Sequence, residues 1–439
     1  MMKHTNILKD FLRYVSLNIL GQMAYSCYTM ADTFFVSAKL GSVGLTALNL
    51  AFPIFCLMNG IGLMIGMGAG TRYSIAKSRG EKELGNKIFT NAFYMVVAFA
   101  SLFFLAGILF SGTLVRLLGA DDSMFALTNT YLQVMLLFAP AFFLNNLLQC
   151  FVRNDGCPGL SMTAMISGSL SNVILDYVFI FPLDMGILGS ILATGLAPVI
   201  SLLVLSPYFF RRKNNFHLRS LAPDRRNILD ISASGVPPFV TEAASGVVMF
   251  LFNFLLLRLE GNIGVAAFGI LSVISLVVVA IYTGLAQGIQ PVLSLNHGTG
   301  NTKNVKKART YALVTALLLS ILLYGIIFFH APTFTLIFNS EKDPVLQAFA
   351  VPGLRLYFLS CPFLGFNLVT ATYFTSTERP RPAQMLSFLR GFLILIPMAF
   401  LLSSLFRITG VWCAYPVTEA IVAVIGVVVF IRLRSEKGR

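Results

Sequence analysis

Four acidic residues of this 439-residue sequence lie inside long apolar segments, namely Asp32, Asp176, Glu242 and Glu419. A carboxylate near the centre of a bilayer costs about 2.5 to 3.5 kcal/mol on insertion scales, so such residues are rare and are usually retained for a function. A buried acid can exchange a proton, bind a cation, attract a cationic ligand or pair with an arginine. These four positions therefore define the candidate sites.

Asp32 and Asp176 are predicted to lie at one depth, because each follows roughly 25 Å of helix from the same membrane face. Asn172 shares the helix face of Asp176, and Thr194 reaches the same level from the opposite end of its helix. This oxygen-rich group could load and release a proton, since burial and a nearby like charge favour the neutral carboxyl. It would equally suit a hard cation such as Na⁺. Alternatively, these side chains only join helices through hydrogen bonds.

Glu242 follows two prolines, Pro237 and Pro238. It could attract a cationic ligand or carry a proton, or it could bond to backbone groups that the prolines leave unpaired. Methionine repacks readily and aromatic faces attract cations, so such residues suit a cleft for varied amphiphiles. With Glu242, the candidate ligand-contacting residues are Gln22, Tyr25, Tyr28, Met64, Met67 and Met249.

Glu419 and Arg390 have a simpler interpretation. Each lies about ten residues from the end of its own segment, in adjacent antiparallel segments, so both fall near mid-depth. Each would offset the burial cost of the other. We predict a structural ion pair.

The elements that position these residues are predicted to be membrane-spanning helices. The chain is 56% hydrophobic and only 11% charged, whereas a soluble protein has roughly 25% charged residues. A spanning helix needs about 20 apolar residues, and twelve such segments can be counted: 14–36, 45–70, 88–110, 127–151, 160–182, 187–210, 232–257, 265–295, 308–331, 347–374, 383–406 and 409–431.

The positive charges indicate the orientation of these segments. With both termini in the cytoplasm, 25 of the 32 Lys and Arg residues, Arg153 among them, face inward and five face outward, which leaves Arg355 and Arg390 within spans. Cytoplasmic loops of membrane proteins carry such an excess of basic residues. The net charge of +14 is thus explained by topology, and no nucleic-acid partner is expected.

The two halves of the chain form an internal repeat. Shifts of 220 and 222 positions align residues that commonly shape helix ends and close contacts: Gly41 with Gly261, Gly68 with Gly288, Gly80 with Gly300, Pro140 with Pro362 and Pro158 with Pro380. Six spans per half give both halves the same orientation, hence a pseudo-twofold axis along the membrane normal. We predict a six-helix lobe over 1–210, a cytoplasmic linker over 211–227 and a second lobe over 228–439. By analogy, two such lobes enclose a cleft and rock about it.

Motifs for enzymatic chemistry are missing from the sequence. It contains neither a G-x-x-x-x-G-K-[ST] phosphate loop nor H-E-x-x-H, and its four histidines are widely separated. We therefore expect no enzymatic activity and no cofactor apart from a coupling ion.

Several segments together resemble the multidrug and toxic compound extrusion (MATE) family, in particular its bacterial multidrug-efflux branch. They cover nearly the whole chain and comprise residues 30–36, 153–158, 172–176 with 185–189, 287–291, and 410–412 with Pro416 and Glu419. The resemblance implies a monomeric, multi-pass protein of the prokaryotic cell membrane that expels cationic amphiphiles in exchange for H⁺ or Na⁺.

The resemblance also assigns roles to individual residues. The family's coupling site maps onto Asp32, Asn172, Asp176 and Thr194, and its second-lobe acid maps onto Glu242. Two features differ from the family pattern: the tenth span has no acid, which argues against a second sodium site, and the first span has no proline, which argues against its bending.

A flippase for a lipid-linked saccharide is the alternative within the same superfamily. Such a protein is expected to line its cleft with several cationic residues, whereas only Arg355 and Arg390 fall within spans here. Antiport is therefore the favoured interpretation.

Overall fold

The computed structural model describes residues 6–339 and 343–435, which fold into helices joined by short connections. The ends of the chain, including Lys3 and Arg439, and Lys342 lie outside the described residues. The helices are α1 Ile7–Ser78, α2 Lys82–Leu109, α3 Ser111–Leu117, α4 Asp122–Leu137, α5 Ala139–Asn154, α6 Pro158–Ile180, α7 Gly186–Phe210, α8 Arg225–Gly298, α9 Thr302–Phe338, α10 Pro344–Tyr357, α11 Cys361–Ser376, α12 Pro380–Phe388 and α13 Leu395–Ser435.

Three long helices, α1, α8 and α13, are each interrupted at one residue. Helix α1 has 72 residues and α8 has 74, so at 1.5 Å per residue each is roughly 110 Å long. Each contains one residue with non-helical dihedrals, Gly41 in α1 and Gly261 in α8, and Arg407 interrupts α13 in the same way. Within the described residues, eight helical stretches are long and apolar enough to cross a membrane, and the pair α4 and α5, bent by 47°, would be a ninth.

The backbone repeats between the two halves of the chain. Gly41 and Gly261 have nearly the same dihedrals, φ 62°, ψ −148° and φ 66°, ψ −148°. Gly80 and Gly300, also 220 positions apart, both have positive φ at a turn between helices. In both conformations the lack of a side chain removes the steric penalty. Prolines paired by the repeat stand in the first turns of corresponding helices: Pro140 and Pro362 in α5 and α11, and Pro158 and Pro380 in α6 and α12.

The buried apolar residues form one large cluster in each half. The first cluster spans α1 to α7 and the second spans α8 to α13, with a smaller third cluster around Phe374. Each half contributes the start of its first helix to the large cluster of the other half. Phe11 at the start of α1 packs into the second cluster, and Ile231 at the start of α8 packs into the first. These residues are 220 positions apart, so the exchange is reciprocal.

Glycines let α1 and α8 meet backbone to backbone. A Cβ atom on Gly68 would lie 2.1 Å from the carbonyl oxygen of Ile231, and one on Gly235 would lie 1.9 Å from that of Met64. The reciprocal contact has Gly288, where a Cβ would lie 2.7 Å from the Cα of Val15. Small residues allow such close helix packing in membranes. These contacts hold the two halves together along α1 and α8.

The connection between the halves is fastened to the first one. Helix α8 begins at Arg225, within the predicted linker of 211–227. The backbone N–H groups of His217, Arg219 and Asp224 donate to side chains of α2 at 2.8 to 3.0 Å. Phe216 is buried among aromatic rings of the first half. The linker is therefore an ordered part of the first half.

Candidate functional site

Asp32 and Asp176 are brought together inside the first half. The carboxylates of α1 and α6 lie within hydrogen-bonding reach of each other. Asp176 is fully buried and Asp32 is 7% exposed. Ser190 of α7 donates its hydroxyl to Asp32 Oδ1 at 2.7 Å. No lysine or arginine of the described residues forms an ion pair with either acid. Two acids without a basic partner thus share one buried site.

Asn172 and Thr194 complete this group, which we call the carboxylate site: Asp32, Asn172, Asp176, Ser190 and Thr194. With the Asn172 amide oriented to satisfy its neighbours, its nitrogen donates to Asp176 Oδ2 at 3.1 Å. Its oxygen then accepts from the backbone N–H and the hydroxyl of Thr194 at 3.1 and 3.3 Å. Asp176 Oδ1 is buried and accepts no hydrogen bond from the described residues. One carboxylate oxygen therefore remains free for a proton or a cation.

Close packing of α6 and α7 brings the short polar side chains of the carboxylate site within contact distance of one another. One turn before Asn172, Gly168 approaches α7 so closely that a Cβ atom would lie 2.9 Å from the carbonyl oxygen of Ala197. On the other side, Phe35 of α1 contacts Phe181 at a ring distance of 5.9 Å. The three helices are thus held at distances that short polar side chains can bridge.

A cavity lies beside the carboxylate site, between the two halves. Its volume is about 100 Å³, and it is lined by residues of α1, α5, α6, α7 and α8. A second cavity of about 60 Å³ extends along α8 and α11. Glu242, Leu63, Thr283 and Gln287 line both. Pockets for drug-sized ligands usually have about 300 to 1,000 Å³, so such a ligand requires the halves to separate.

The predicted ligand-contacting residues fall into two groups. Gln22, Tyr25, Tyr28 and Glu242 line the larger cavity, and Met67 lines the smaller one. Met64 and Met249 line neither: the carbonyl of Met64 contacts Gly235, and Met249 is half-buried elsewhere on α8. Tyr28 also neighbours Asp32. This tyrosine therefore connects the cavity with the carboxylate site.

Glu242 is joined to the first half by two amides. Asn59 of α1 donates to Glu242 Oε2 at 3.2 Å, and Asn146 of α5 donates to Asn59 Oδ1 at the same distance. The carboxylate thus bonds to side chains of the other half of the chain.

Arg153 is a cavity residue that the sequence analysis assigned to a cytoplasmic segment. It is 2% exposed and lines the larger cavity. One terminal nitrogen donates to Asn18 Oδ1 at 2.9 Å and to Gln287 Oε1 at 3.0 Å, and the other contacts sulfur atoms of Met67 and Cys150. The spacing of Asn145, Gln149 and Arg153 at four-residue intervals places them on one helix face, and this polar stripe is the signal that could have identified it.

Arg390 and Glu419 form a buried ion pair in the second half. Arg390 Nη2 lies 2.9 Å from Glu419 Oε1, and its Nε donates to the same oxygen at 3.0 Å. Asn367 of α11 donates to Glu419 Oε2 at 2.7 Å. Arg390 lies in a π-helical turn at Leu389–Leu393, between α12 and α13.

Ion pairs also join the halves at one end of α1 and α8. Arg79 contacts Glu378 at 2.8 Å, His297 contacts the same carboxylate at 3.1 Å, and Arg72 contacts Asp230 at 3.0 Å. The hydrogen bond from His297 and the charge of Arg79 outweigh burial and lower the pKa of Glu378 to about 2. Glu378 therefore remains charged throughout the physiological pH range.

Asp155 plays a similar role within the first half. Its carboxylate accepts from the hydroxyls of Tyr73 and Tyr208, from Asn215 of the linker and from Lys77. Burial alone would raise the pKa of Asp155, but the charge and hydrogen bond of Lys77 hold it below its ordinary value.

Comparison with known proteins relates this arrangement to a family. The MatE family model matches residues 18–178 and 237–401. The multidrug export protein MepA of Staphylococcus aureus is 26% identical over 98% of this chain and 94% of its own length. The MepA protein of Staphylococcus saprophyticus is 25% identical over 98% of this chain and 95% of its own length.

Solved structures have the same fold. An outward-facing multidrug resistance MATE family transporter of the MOP superfamily matches with a TM-score of 0.92 and 22% identity, over 99% of this chain and 98% of that one. A MOP superfamily transporter from Pyrococcus furiosus, described as having a binding pocket of reversed polarity, matches with a TM-score of 0.90 and 23% identity. The match covers 98% of this chain and 96% of that one. The resemblance found in the sequence is confirmed: this multi-pass membrane protein belongs to the MatE family of transporters.

Proposed function

We propose that this protein is a secondary antiporter that expels cationic amphiphilic compounds in exchange for H⁺ or Na⁺. The observation that carries the proposal is the carboxylate site, in which two buried acids lack a basic partner and one oxygen of Asp176 is free. The oxygens of Asp32, Asp176, Asn172 and Thr194 would hold the ion. Multidrug export by the MepA proteins, which match almost the whole chain, supports the same conclusion.

The proposal includes twelve membrane spans with both termini in the cytoplasm. The nine stretches that can cross a membrane become twelve if the breaks at Gly41, Gly261 and Arg407 each separate two spans. A 30 Å hydrocarbon core requires about 20 residues, which supports dividing the long rods in this way. The matching backbone conformations at positions 220 apart support a pseudo-twofold relation between the lobes.

In this topology, the structure would correspond to a state closed at the cytoplasmic side. The ion pairs of Arg79 with Glu378 and of Arg72 with Asp230 would lie at the cytoplasmic ends of α1 and α8. Gly298 packs there against Ser78. Rocking of the lobes would break these interactions, separate α1 from α8 at this end and open the cavity inward.

Coupling requires that the ion and the substrate bind with different affinities in the two states. Tyr28 provides a physical connection, because it lines the cavity and also neighbours Asp32. Neutralising the carboxylates would change the position of α1 relative to α6 and α7. The cation would be attracted by Glu242 and released outward when the site is loaded.

The charges of the larger cavity favour an exporter over a flippase. Among the described lining residues are one acid, Glu242, and one arginine, Arg153, together with amides and aromatic rings. A cleft for a lipid-linked saccharide phosphate would be expected to present several cationic residues.

Reconstituted proteoliposomes can test the proposal. Export of a fluorescent organic cation should follow an imposed proton or sodium gradient, and the ion whose gradient drives export is the coupling ion. Asp32→Asn and Asp176→Asn should each abolish gradient-driven export while the protein remains in the membrane.

The matched control is Asp184→Asn, since Asp184 is an exposed acid paired with Lys39 at 2.7 Å outside the carboxylate site. It should export at the rate of the original protein. Full activity in both carboxylate-site variants would contradict the assignment of the ion site.

A further inference from the structure

We propose that the segment between α7 and α8 is a binding surface for the headgroups of anionic phospholipids. The surface, which we call the linker surface, consists of residues 211–213, Leu218, Leu221 and residues 225–226. It lies outside both cavities and outside the carboxylate site. The inference therefore adds a lipid partner to the protein and does not depend on the exported compound.

The course of the segment brings its middle part to the level of an apolar helix segment. The backbone N–H of His217 donates to Asn86 of α2 at 2.8 Å, and the carbonyl oxygen of Leu221 accepts from the hydroxyl of Tyr94 at 3.0 Å. Asn86 and Tyr94 are eight residues apart, so the segment follows α2 over roughly 12 Å. Tyr94 lies inside the apolar segment 88–110. The segment therefore descends from the end of α2 towards the hydrocarbon region.

Apolar side chains of this segment are exposed at that level. Leu218 is 52% exposed and Leu221 is 42% exposed, and Phe210 at the end of α7 is 83% exposed. Phe216 is instead buried, and together with the backbone bonds to α2 it holds the segment in place. Interfacial segments of membrane-bound proteins insert such apolar side chains at the boundary between headgroups and acyl chains. The two leucines are therefore suited to contact lipid.

Basic residues without an ionic partner flank these leucines on both sides. Arg211, Arg212 and Lys213 follow α7, Arg225 and Arg226 begin α8, and all five are exposed. None of the five forms an ion pair with a described residue. Each Lys or Arg near an anionic membrane surface strengthens the attraction about fivefold. Their long side chains can follow apolar surface and place the charge among the headgroups.

Two acids close to the linker surface are already paired with other residues. Glu83 of α2 contacts Arg219 at 3.3 Å, and Asp224 contacts Lys87 at 2.7 Å. These acids therefore leave the charge of the linker surface unneutralised. Nucleic acid or a soluble phosphate would use the charges alone and leave the leucines exposed. A phospholipid matches both the charges and the apolar side chains, which favours a lipid.

Quenching of fluorescence by brominated lipids can measure the preference. Trp412 is the only tryptophan of the sequence, so Trp412→Phe with Ser220→Trp places a single fluorophore in the full-length protein, between Leu218 and Leu221. In nanodiscs of phosphatidylcholine, brominated phosphatidylglycerol is compared with brominated phosphatidylcholine as the quencher. We expect phosphatidylglycerol to associate about fivefold more tightly at this position. Equal association of the two lipids would overturn the inference.

Neutralising one end of the linker surface tests the role of its charges. The triple variant Arg211→Gln, Arg212→Gln and Lys213→Gln should lower the preference to below about twofold. The matched control removes three exposed charges from the start of α9, at the same predicted membrane face, by Lys303→Gln, Lys306→Gln and Lys307→Gln. It should keep the original preference. An equal loss in both triple variants would show that only net charge matters, and the inference would be wrong.

A second measurement covers the case in which the tryptophan reporter is not recovered from membranes. Native mass spectrometry of the unmodified protein and the two triple variants counts the phosphatidylglycerol molecules that each retains. The unmodified protein and the α9 control should retain more than the linker variant. Equal numbers in all three proteins would overturn the inference.

Three further outcomes test the choice of a lipid. Leu218→Ser with Leu221→Ser should weaken quenching by both brominated lipids equally, because the reporter loses its apolar contact with the bilayer; unchanged quenching would contradict this contact. Soluble glycerol phosphate should leave the preference unchanged, and if it abolishes the preference, the surface binds a free phosphate group. Binding of a labelled oligonucleotide to the protein in nanodiscs that contain phosphatidylglycerol, lost in the linker variant, would assign the surface to nucleic acid instead.

Discussion

Gly235→Ala is expected to hinder closure of the cytoplasmic side. The new Cβ atom would lie 1.9 Å from the carbonyl oxygen of Met64 and 2.6 Å from its carbon, whereas real Cβ atoms essentially never come within 3.0 Å of a neighbour. All the atoms it meets belong to the backbone, so no side-chain rotation relieves the clash. Helices α1 and α8 must separate locally by about 1.1 Å.

The energetic effect follows from this displacement. Overpacking a well-packed contact typically costs about 1 to 3 kcal/mol. A cost of this size corresponds to about a 5- to 150-fold shift in a two-state equilibrium. Because the contact exists in this closed state and would be lost in the proposed rocking motion, the shift should favour the inward-open state. Gradient-driven export should fall accordingly.

Cys150 offers a direct assay of this shift, since it is buried and lines the larger cavity. In a protein whose other five cysteines are replaced, its labelling by an impermeant maleimide from the cytoplasmic side should accelerate by at least fivefold in Gly235→Ala. Gly269→Ala is the control on the same helix, because a Cβ atom there meets nothing within 4 Å. Equal labelling and export in the two variants would refute the reasoning.

Three further substitutions test other polar contacts. Asp155→Asn should lower the free energy of unfolding by about 3 kcal/mol at pH 7, because it breaks the buried pair with Lys77. Urea or thermal unfolding measures this difference. Since the pKa of Asp155 is held low, the difference between the two proteins should shrink as the pH falls through that pKa. Glu378→Gln should cost only about 0.5 kcal/mol, because its pairs are partly exposed. Since the pKa of Glu378 is lowered from 4.5 to about 2, this cost should shrink as the pH falls from 4.5 towards about 2. Arg390→Met should lower the free energy of unfolding by about 3 to 5 kcal/mol. The double variant Arg390→Met with Glu419→Gln should recover most of this loss. Equal losses in the single and double variants would contradict a structural pair.

The sequence allowed the grouping of the carboxylate site because depth follows from residue counts. Asp32, Asn172, Asp176 and Thr194 could be placed at one level from the 1.5 Å rise per residue alone. Ser190 was not included, although it lies four residues before Thr194 on the same helix face. A small hydroxyl in an apolar segment gives little signal, since serine is common wherever membrane helices pack closely.

The burial of Arg153 and the packing of the linker could not be predicted, for a different reason. Basic residues at the end of a span are normally cytoplasmic, and only contacts with Asn18 and Gln287, far away in sequence, bury this one. The linker resembles a free loop by composition, but Phe216 anchors it among aromatic rings of the first half. In both cases, burial depends on packing against residues that are distant in sequence, and the local sequence pattern carries no information about such contacts.

The two halves repeat the same backbone but not the same chemistry, which limits where ion coupling can occur. The positions matching Asp32 and Asp176 in the second half are Phe252 and Met398. The second half has two acids in its apolar segments: Glu419 is paired with Arg390 and adds no net charge, whereas Glu242 has no ion pair within the described residues and accepts a hydrogen bond from Asn59. In the proposed antiport, the coupling ion would therefore change the charge of the first half, while Glu242 of the second half would receive the substrate. Because the halves share one backbone repeat, this asymmetry would give the proposed rocking motion a driven half and a passive half.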